Sequence, residues 1–269
     1  MSAAAERLSR VVLDGGPWVV AVSGGVDSLT LAVLIHRGAG QSRAAMVHAV
    51  SPAVPPKATE RVRAWSEREG WRLLILDAGE FDDPDYRRNP LNRCFFCKHN
   101  LYAAIASRVE GRIASGTNVD DLGEYRPGLD AARDFAVRHP YVEAEMDKAG
   151  VRALARELGL GDVAELPAAP CLSSRIETLI PIDPETLRSI DSVEEAVRSH
   201  MRPATVRCRV RAAGIVIELD GPSLAALVSG SAGPVEGIVR ALLPASLAVK
   251  PISFSAYRAG SAFVVPEAG

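Results

Sequence analysis

The chain has 269 residues, 48% of them hydrophobic, and a formal net charge of −2. This length favours one large domain plus a smaller one, and the charge argues against a protein that holds long DNA or RNA, because such proteins carry an excess of Lys and Arg. Met1–Arg10 lacks the apolar region of a signal peptide, and no apolar run reaches the ~20 residues of a membrane span, so we expect a cytoplasmic protein that binds neither nucleic acid nor membrane.

The first half of the chain alternates short apolar runs with helical patterns. Strands are predicted at Trp18–Ser23, Ala44–Val50, Arg72–Leu76 and Arg112–Ser115, and helices at Leu29–His36, Ala58–Glu69 and Lys98–Arg108. Strands that alternate with helices at this spacing predict an α/β fold with a parallel, doubly wound sheet.

The second half of the chain begins with helical patterns and becomes β-rich after about His200, with a domain boundary predicted near Ile180–Asp183. Asp147 and Asp183 are predicted helix N-caps, with Gly159 just past the end of the first helix and Pro184 at the first position of the second. Later elements are a hairpin of Thr205–Arg211 and Ile215–Leu219, helices near Pro222–Val228 and Val235–Leu242, and a strand near Leu247–Phe254. We therefore predict a domain of residues 1–180 and a smaller α+β domain of residues 181–269.

The strongest local signal is the sequence SGGVDS at residues 23–28, which follows a predicted strand and opens a helix. Gly24 and Gly25 let the backbone turn tightly, and the N–H groups at a helix start favour phosphate. Ser23 and Ser28 add hydroxyl donors. Asp27 cannot bind phosphate directly, so we assign to it a Mg²⁺ ion that bridges phosphate oxygens.

This loop is not a Walker loop, because no Lys-Ser or Lys-Thr pair follows the glycines. It resembles the PP-loop of the ATP-pyrophosphatase superfamily (HUP-like α/β folds), whose members split ATP into AMP and pyrophosphate and adenylate a substrate oxygen. The alternative is a glycine-rich turn without a ligand. On the resemblance, the ATP-binding residues are Ala21, Ser23, Gly24, Gly25, Asp27, Ser28, Met46 and Gly116, with adenine near Met46–His48.

The chain has four cysteines. Cys94 and Cys97 form a C-x-x-C pair, Cys171 lies far along the chain, and Cys208 lies in a predicted strand, where a small buried side chain is expected. Cys94, Cys97 and Cys171 have three interpretations: ligands of a [4Fe–4S] cluster with one open iron, zinc ligands together with His99, or unrelated thiols of which Cys171 alone is reactive.

Four stretches together resemble the LarE family, the ATP-dependent sulfur transferases of nickel-pincer cofactor biosynthesis. They are SGGVDS at 23–28, NPLNRCFFCK at 89–98, GTNVDDLGEYRPGL at 116–129 and PCLSSRI at 170–176. The resemblance implies adenylation of a carboxylate, with Asp27 and Cys171 as catalytic residues. Sulfur then comes either from a three-cysteine [4Fe–4S] cluster, which we favour, or from Cys171 itself, which becomes dehydroalanine.

The resemblance also implies a substrate site. Its predicted residues are Arg126, Ser174, Arg175, Arg207, Arg209 and Arg258. Guanidinium groups suit a substrate carboxylate or phosphate, whereas the alternative for each arginine is a solvated surface charge. Asp120, Asp121 and Glu124 either support Mg²⁺ or cap a helix. We expect a small-molecule carboxylate substrate, with a pyridinium mononucleotide as one candidate, and a homo-oligomer.

Three other functions share part of this pattern. A tRNA-thiolating PP-loop enzyme would show a basic face or additional zinc-finger cysteines. An ammonia-dependent amidating synthetase would leave Cys94, Cys97 and Cys171 without a shared role. A non-catalytic nucleotide-binding module would not turn ATP over to AMP.

Overall fold

The computed structural model describes residues 3–123, 126–230 and 232–264. Its strands are β1 (Trp18–Ala21), β2 (Ala44–Ala49), β3 (Leu73–Leu76), β4 (Arg112–Ala114), β5 (Val206–Arg211), β6 (Gly214–Leu219) and β7 (Ile252–Ala256). Its helices are α1 (Ala3–Gly15), α2 (Val26–Ala39), α3 (Pro56–Glu69), α4 (Pro84–Arg87), α5 (Arg93–Ala106), α6 (Gly128–Asp134), α7 (Pro140–Glu143), α8 (Lys148–Glu157), α9 (Gly161–Ala164), α10 (Pro184–Met201), α11 (Gly221–Ser229), α12 (Gly233–Leu242) and α13 (Ala245–Ala248).

The chain forms two compact units. Unit 1 comprises Met1–Asp83 and Asn92–Ala169, and unit 2 comprises Pro84–Leu91 and Pro170–Gly269. The sequence predicted a division near residue 180, and the compact units divide the chain elsewhere. The short segment Pro84–Leu91 belongs to unit 2. Its buried Asn89 donates from Nδ2 to the carbonyl oxygens of Glu177 at 2.8 Å and Ile180 at 2.9 Å.

Unit 1 contains a four-stranded parallel sheet in the order β3-β2-β1-β4. Alternate residues of each strand enter different cores: Val20 packs with helices α1, α2 and α8 on one face, and Val19 packs with α5 and α6 on the other. Both faces are therefore covered, as the doubly wound prediction requires, and the predicted α/β class is confirmed.

Unit 2 contains a three-stranded sheet in the order β5-β6-β7. Strands β5 and β6 form the predicted antiparallel hairpin, β7 pairs parallel with β6, and α10 packs against β5 and α12. The predicted caps are confirmed, since Asp147 accepts from the N–H of Gly150 at 2.7 Å and Asp183 from the N–H of Thr186 at 2.8 Å.

Two local predictions need correction, and one helix was not predicted at all. Helix α1 was not predicted, although its buried residues Ala5, Leu8 and Val12 lie along one helical face. Helix α5 begins at Arg93, five residues before the predicted Lys98, because no Gly or Pro interrupts that stretch. The strand predicted near Leu247–Phe254 begins only at Ile252, since helix α13 precedes it and Pro251 cannot donate a ladder hydrogen bond.

No helix in the described part of the chain is both long enough and apolar enough to cross a membrane.

Candidate active site

The SGGVDS loop joins β1 to α2 at the carboxyl end of the central parallel strand. The Ser28 hydroxyl accepts from the N–H of Ser23 at 3.0 Å and donates to the carbonyl of Gly25 at 3.2 Å, and the two serine hydroxyls lie 3.0 Å apart. Gly24 has a φ of +83°, a conformation that side chains disfavour. The predicted phosphate loop is thus a hydrogen-bonded turn at a helix N-terminus.

Two glycines allow the loop to pack closely against its neighbours. A Cβ at Gly24 would lie 2.7 Å from the carbonyl oxygen of Ala58, and one at Gly116 would lie 2.9 Å from the backbone nitrogen of Ser28. Gly116 follows β4, so the strand beside β1 brings it to the first turn of α2. Neither position tolerates a side chain without a shift of backbone.

Asp27 lies at the centre of a set of contacts from distant parts of unit 1. Its Oδ2 lies 2.5 Å from Nζ of Lys148, its Oδ1 accepts from Nδ2 of Asn118 at 3.2 Å, and its carbonyl oxygen accepts from the hydroxyl of Tyr141 at 3.0 Å. Complete burial, and then the charge of Asp27, raise the pKa of Tyr141, so its phenol stays a neutral donor.

Lys148 is the functional candidate that the sequence analysis missed. It is the first residue of α8, and its backbone N–H donates to Oδ2 of Asp120 at 3.0 Å. The sequence did predict Asp147 as a helix N-cap, and this cap places Lys148 in the first turn of α8. A cation there is unfavourable for the helix dipole, and the ion pair with Asp27 offsets this cost in the folded chain.

The acidic residues predicted near this site hold the local backbone. Asp120 accepts from the N–H of Lys148, and Asp121 accepts from the N–H of Asn118 at 3.0 Å. Arg126, a predicted substrate residue, forms an ion pair with Asp121 at 2.8 Å. The third acidic candidate, Glu124, lies outside the described residues. Of the two roles predicted for these acids, Asp120 adopts the helix-capping one.

The predicted adenine-binding region lies at the carboxyl ends of β1 and β2. Met46 is fully buried in the core and its backbone N–H donates to the carbonyl oxygen of Arg72 at 2.9 Å, whereas Ala21 is half-buried; a contact of either residue with the base remains a prediction. His48 is a buried residue whose ring nitrogens both have partners. Its Nδ1–H donates to the carbonyl of Val22 at 2.7 Å, its Nε2 lies 2.9 Å from the hydroxyl of Thr59, and burial lowers its pKa.

None of the four cysteines, all of which lie within the described residues, forms a disulfide. Cys94 and Cys97 stand three residues apart on α5, so both half-buried thiols share one helix face. Cys171 is exposed in unit 2 at the start of a 3₁₀ turn, Leu172–Arg175. Cys208 is fully buried, as predicted, and burial raises the pKa of its thiol.

Across residues 3–123, 126–230 and 232–264, no group of three or more His, Cys, Asp or Glu side chains is arranged to hold a metal ion. His99, the fourth ligand of the zinc alternative, packs its ring edge-on against Phe135 with centroids 5.1 Å apart. The iron–sulfur and zinc assignments remain predictions.

Unit 2 contains two buried arginine–carboxylate pairs at predicted substrate residues. Arg175 donates to both carboxylate oxygens of Glu194, at 2.9 and 3.0 Å, and to the hydroxyl of Ser174 at 3.0 Å. Arg209 donates to Glu218 at 2.9 Å. Both guanidiniums are therefore neutralised by a carboxylate within the same unit.

The other two predicted arginines of unit 2 are more accessible. Arg207 is half-buried with its guanidinium carbon 5.6 Å from the ring centroid of Tyr257, and Arg258 is exposed. Burial, and then the neighbouring charge of Arg175, lower the pKa of Arg207. An additional anion near Arg207 would therefore stabilise the charged form of its guanidinium.

The chain matches no family model. An uncharacterised protein of Synechocystis sp. is 35% identical over 184 residues, which span 67% of this chain and 68% of that protein. The pyridinium-3,5-bisthiocarboxylic acid mononucleotide synthase of Lactiplantibacillus plantarum is 26% identical over 211 residues, 77% of this chain and 73% of that protein. A component of the glutamine-hydrolysing GMP synthase of Methanocaldococcus jannaschii is 26% identical over 174 residues, 59% of this chain and 55% of that protein.

Proposed function

The chain belongs to the LarE family of PP-loop ATP-pyrophosphatases, and we propose that it transfers sulfur to a substrate carboxylate that it first adenylates. Its membership makes it an ATP-utilising PP-loop enzyme. The observation that carries the proposal is the convergence on one helix N-terminus of the SGGVDS loop, the carboxylate of Asp27 and the ammonium of Lys148.

The geometry of unit 1 supports the proposed binding of ATP. The pyrophosphate portion of ATP would accept hydrogen bonds from the amides at the start of α2, where the helix dipole favours negative charge. The hydroxyls of Ser23 and Ser28, 3.0 Å apart, add polar groups at the same turn. The close approach of Gly24 to Ala58 and of Gly116 to Ser28 supports this assignment, because it leaves no room for a side chain at either glycine beside the loop.

The residues present also fit a Mg²⁺ ion. Asp27 offers carboxylate oxygen, the donor that Mg²⁺ prefers, and its side chain is 26% exposed. Each of its oxygens already accepts one hydrogen bond, and each retains a further lone pair. A Mg²⁺ ion held there would neutralise phosphate charge.

In the adenylation step, a substrate carboxylate oxygen attacks the α-phosphorus of ATP. The bond from that phosphorus to the bridging oxygen breaks, and pyrophosphate leaves with the electron pair. Negative charge therefore grows on the leaving group. Lys148 and the amides of the loop stabilise that charge, and Tyr141 and Asn118 hold Asp27 in position.

The sulfur is proposed to come either from a cluster that the cysteine thiolates bind or from a cysteine itself. Thiolates are the ligands that iron–sulfur clusters prefer, and Cys94 and Cys97 project from one face of α5, so the donor chemistry fits. A cluster bound by these two residues and Cys171 would supply an open iron that holds an extra sulfide. The alternative uses the exposed Cys171 alone as the sulfur donor.

Unit 2 is proposed to hold the acceptor. Arg207 and Arg258 are the better placed of the predicted arginines, because Arg175 and Arg209 are buried and already paired. We propose that Arg175 and Arg209 support the fold of unit 2 and do not contact the acceptor. The name of the Lactiplantibacillus plantarum relative makes a pyridinium mononucleotide with carboxylate groups the first acceptor to test.

The reaction class is tested by product analysis. We expect the protein with Mg²⁺, ATP and pyridinium-3,5-dicarboxylic acid mononucleotide to yield AMP and pyrophosphate, measured by ion-exchange chromatography. Formation of ADP and phosphate would refute the proposal. Product that contains nitrogen in place of sulfur, when ammonia and sulfide are both supplied, would identify an amidating synthetase like the GMP synthase relatives.

The sulfur source is tested with single cysteine variants. On the cluster route, Cys94→Ala, Cys97→Ala and Cys171→Ala each abolish sulfur transfer and leave AMP formation intact, with Cys208→Ala as the unaffected control. Anaerobically reconstituted protein should then hold about four irons per chain. On the sacrificial route only Cys171 matters, and intact-mass analysis shows a chain lighter by the elements of H₂S.

A further inference from the structure

Helix α3 packs against the SGGVDS loop through its first turns. The carbonyl oxygen of Ala58 approaches Gly24 so closely that a Cβ there would lie 2.7 Å from it. Arg61 follows Ala58 by three residues and therefore lies on the same helix face. Its NH1 group donates to the carbonyl oxygen of Gly24 at 2.7 Å.

This arginine has an unusual electrostatic environment. It is half-buried, and across residues 3–123, 126–230 and 232–264 no carboxylate pairs with it. Burial alone lowers its pKa, with no opposing contribution from an acid. A desolvated charge without a counter-ion is unfavourable, and the arginines at 37, 138 and 156 each have a carboxylate partner.

The bond to Gly24 uses one donor of five on the guanidinium. That bond fixes the planar group beside the turn that also presents the amides of α2. The remaining donors suit the oxygens of a polyphosphate, which guanidinium groups bind with paired hydrogen bonds.

We propose that Arg61 is a ligand of the pyrophosphate portion of ATP and supplies the counter-charge for the leaving group. This inference rests on the proposed function and adds a residue to it. As the bond at the α-phosphorus breaks, the departing pyrophosphate takes the electron pair and gains negative charge. Arg61 lies beside that charge from the α3 side, whereas Lys148 reaches the loop from α8.

The test measures binding of inorganic pyrophosphate with Mg²⁺, and separately of AMP, by isothermal titration calorimetry. Arg61→Ala should weaken pyrophosphate binding roughly 10- to 100-fold, the range for a hydrogen bond to a charged group, and leave AMP binding unchanged. Arg61→Lys, which keeps the charge without the fork geometry, should fall between Arg61→Ala and the wild type. Arg63→Ala is the matched control, because it removes an exposed positive charge from the same helix.

Three outcomes overturn the inference. Unchanged pyrophosphate binding in Arg61→Ala would show that Arg61 does not contact the anion. Equal weakening of pyrophosphate and AMP binding would show that Arg61 only supports the loop through Gly24. Wild-type protein that binds neither ATP nor pyrophosphate would refute the proposed function first. Thermal melting of each variant checks folding, and Arg61→Lys decides the matter if Arg61→Ala does not fold.

Discussion

The two units use ion pairs in opposite surroundings. In unit 1, Lys148 and Asp27 are 34% and 26% exposed at a helix N-terminus. In unit 2, Arg175 and Glu194 are 5% and 4% exposed, and Glu194 also accepts from the N–H of Cys208 at 3.0 Å. The first pair is accessible to solvent and ligands, and the second is enclosed.

The two pairs are suited to different roles. An accessible pair contributes little to stability, so its members are free to exchange partners when an anion or a cation arrives. A buried pair is held by several bonds, and loss of one partner leaves an isolated charge in the interior. We therefore expect mutations in unit 1 to alter catalysis and mutations of the buried pairs in unit 2 to alter stability.

The largest effect on stability is expected for Glu194→Ala, which leaves Arg175 buried without its counter-ion. The free energy of unfolding should fall by about 3–5 kcal/mol, measured by urea denaturation. Glu195→Ala is the matched control, because it removes an accessible pair with Arg198 and should cost ~1 kcal/mol or less. Equal losses in the two variants would contradict the comparison.

Asp27→Asn should reduce the rate of AMP formation roughly 10²–10³-fold, since it removes one positioned charge from the site. Its melting temperature should stay near that of the wild type. Asp162→Asn removes an exposed carboxylate of the same unit and should leave the rate unchanged. Near-normal AMP formation in Asp27→Asn would remove this residue from the mechanism.

Lys148→Met should lower the rate of AMP formation roughly 10- to 100-fold, because a hydrogen bond to a charged phosphate is lost. Lys148→Arg should recover part of the activity by restoring the charge. If Lys148 only stabilised Asp27 in the free protein, Lys148→Met would change the melting temperature and not the rate of steady-state AMP formation.

Arg207→Ala should raise the apparent KM for the acceptor roughly tenfold, while AMP formation without acceptor stays unchanged. Arg209→Ala is expected to behave differently, because Arg209 is buried against Glu218 and its removal should destabilise unit 2. A loss of AMP formation in Arg207→Ala equal to the loss of acceptor binding would assign this residue to the nucleotide site.

The smallest effect concerns pH. Burial lowers the pKa of both His48 and His139. Below the ordinary histidine pKa of about 6.5, the unfolded chain binds protons that the folded chain does not, so stability should fall as pH falls from 7 toward 5. His48→Gln should flatten part of this slope in urea titrations at several pH values. A stability that rises on acidification would contradict the assignment.

Much of the fold follows from local sequence. Alternating apolar and helical patterns predicted β1 to β4 and the α/β class, and Asp147 and Asp183 predicted the starts of α8 and α10. SGGVDS predicted a phosphate loop because its glycines, hydroxyls and carboxylate lie within six consecutive residues. These signals depend only on neighbours in the chain, so they can be recognised without the folded structure.

The tertiary structure decided which distant residues meet. The contacts of Asp27 with Lys148 and of Gly24 with Arg61 join residues 121 and 37 positions apart, and no local pattern marks either lysine or arginine as a partner of the loop. The burial of Arg175 and Arg209 could likewise not be predicted from the sequence. The same arginine in the same motif can pair with a buried carboxylate or face solvent. Side-chain environment is a property of the packed chain, and it separates the residues proposed to bind ligands from those that support them.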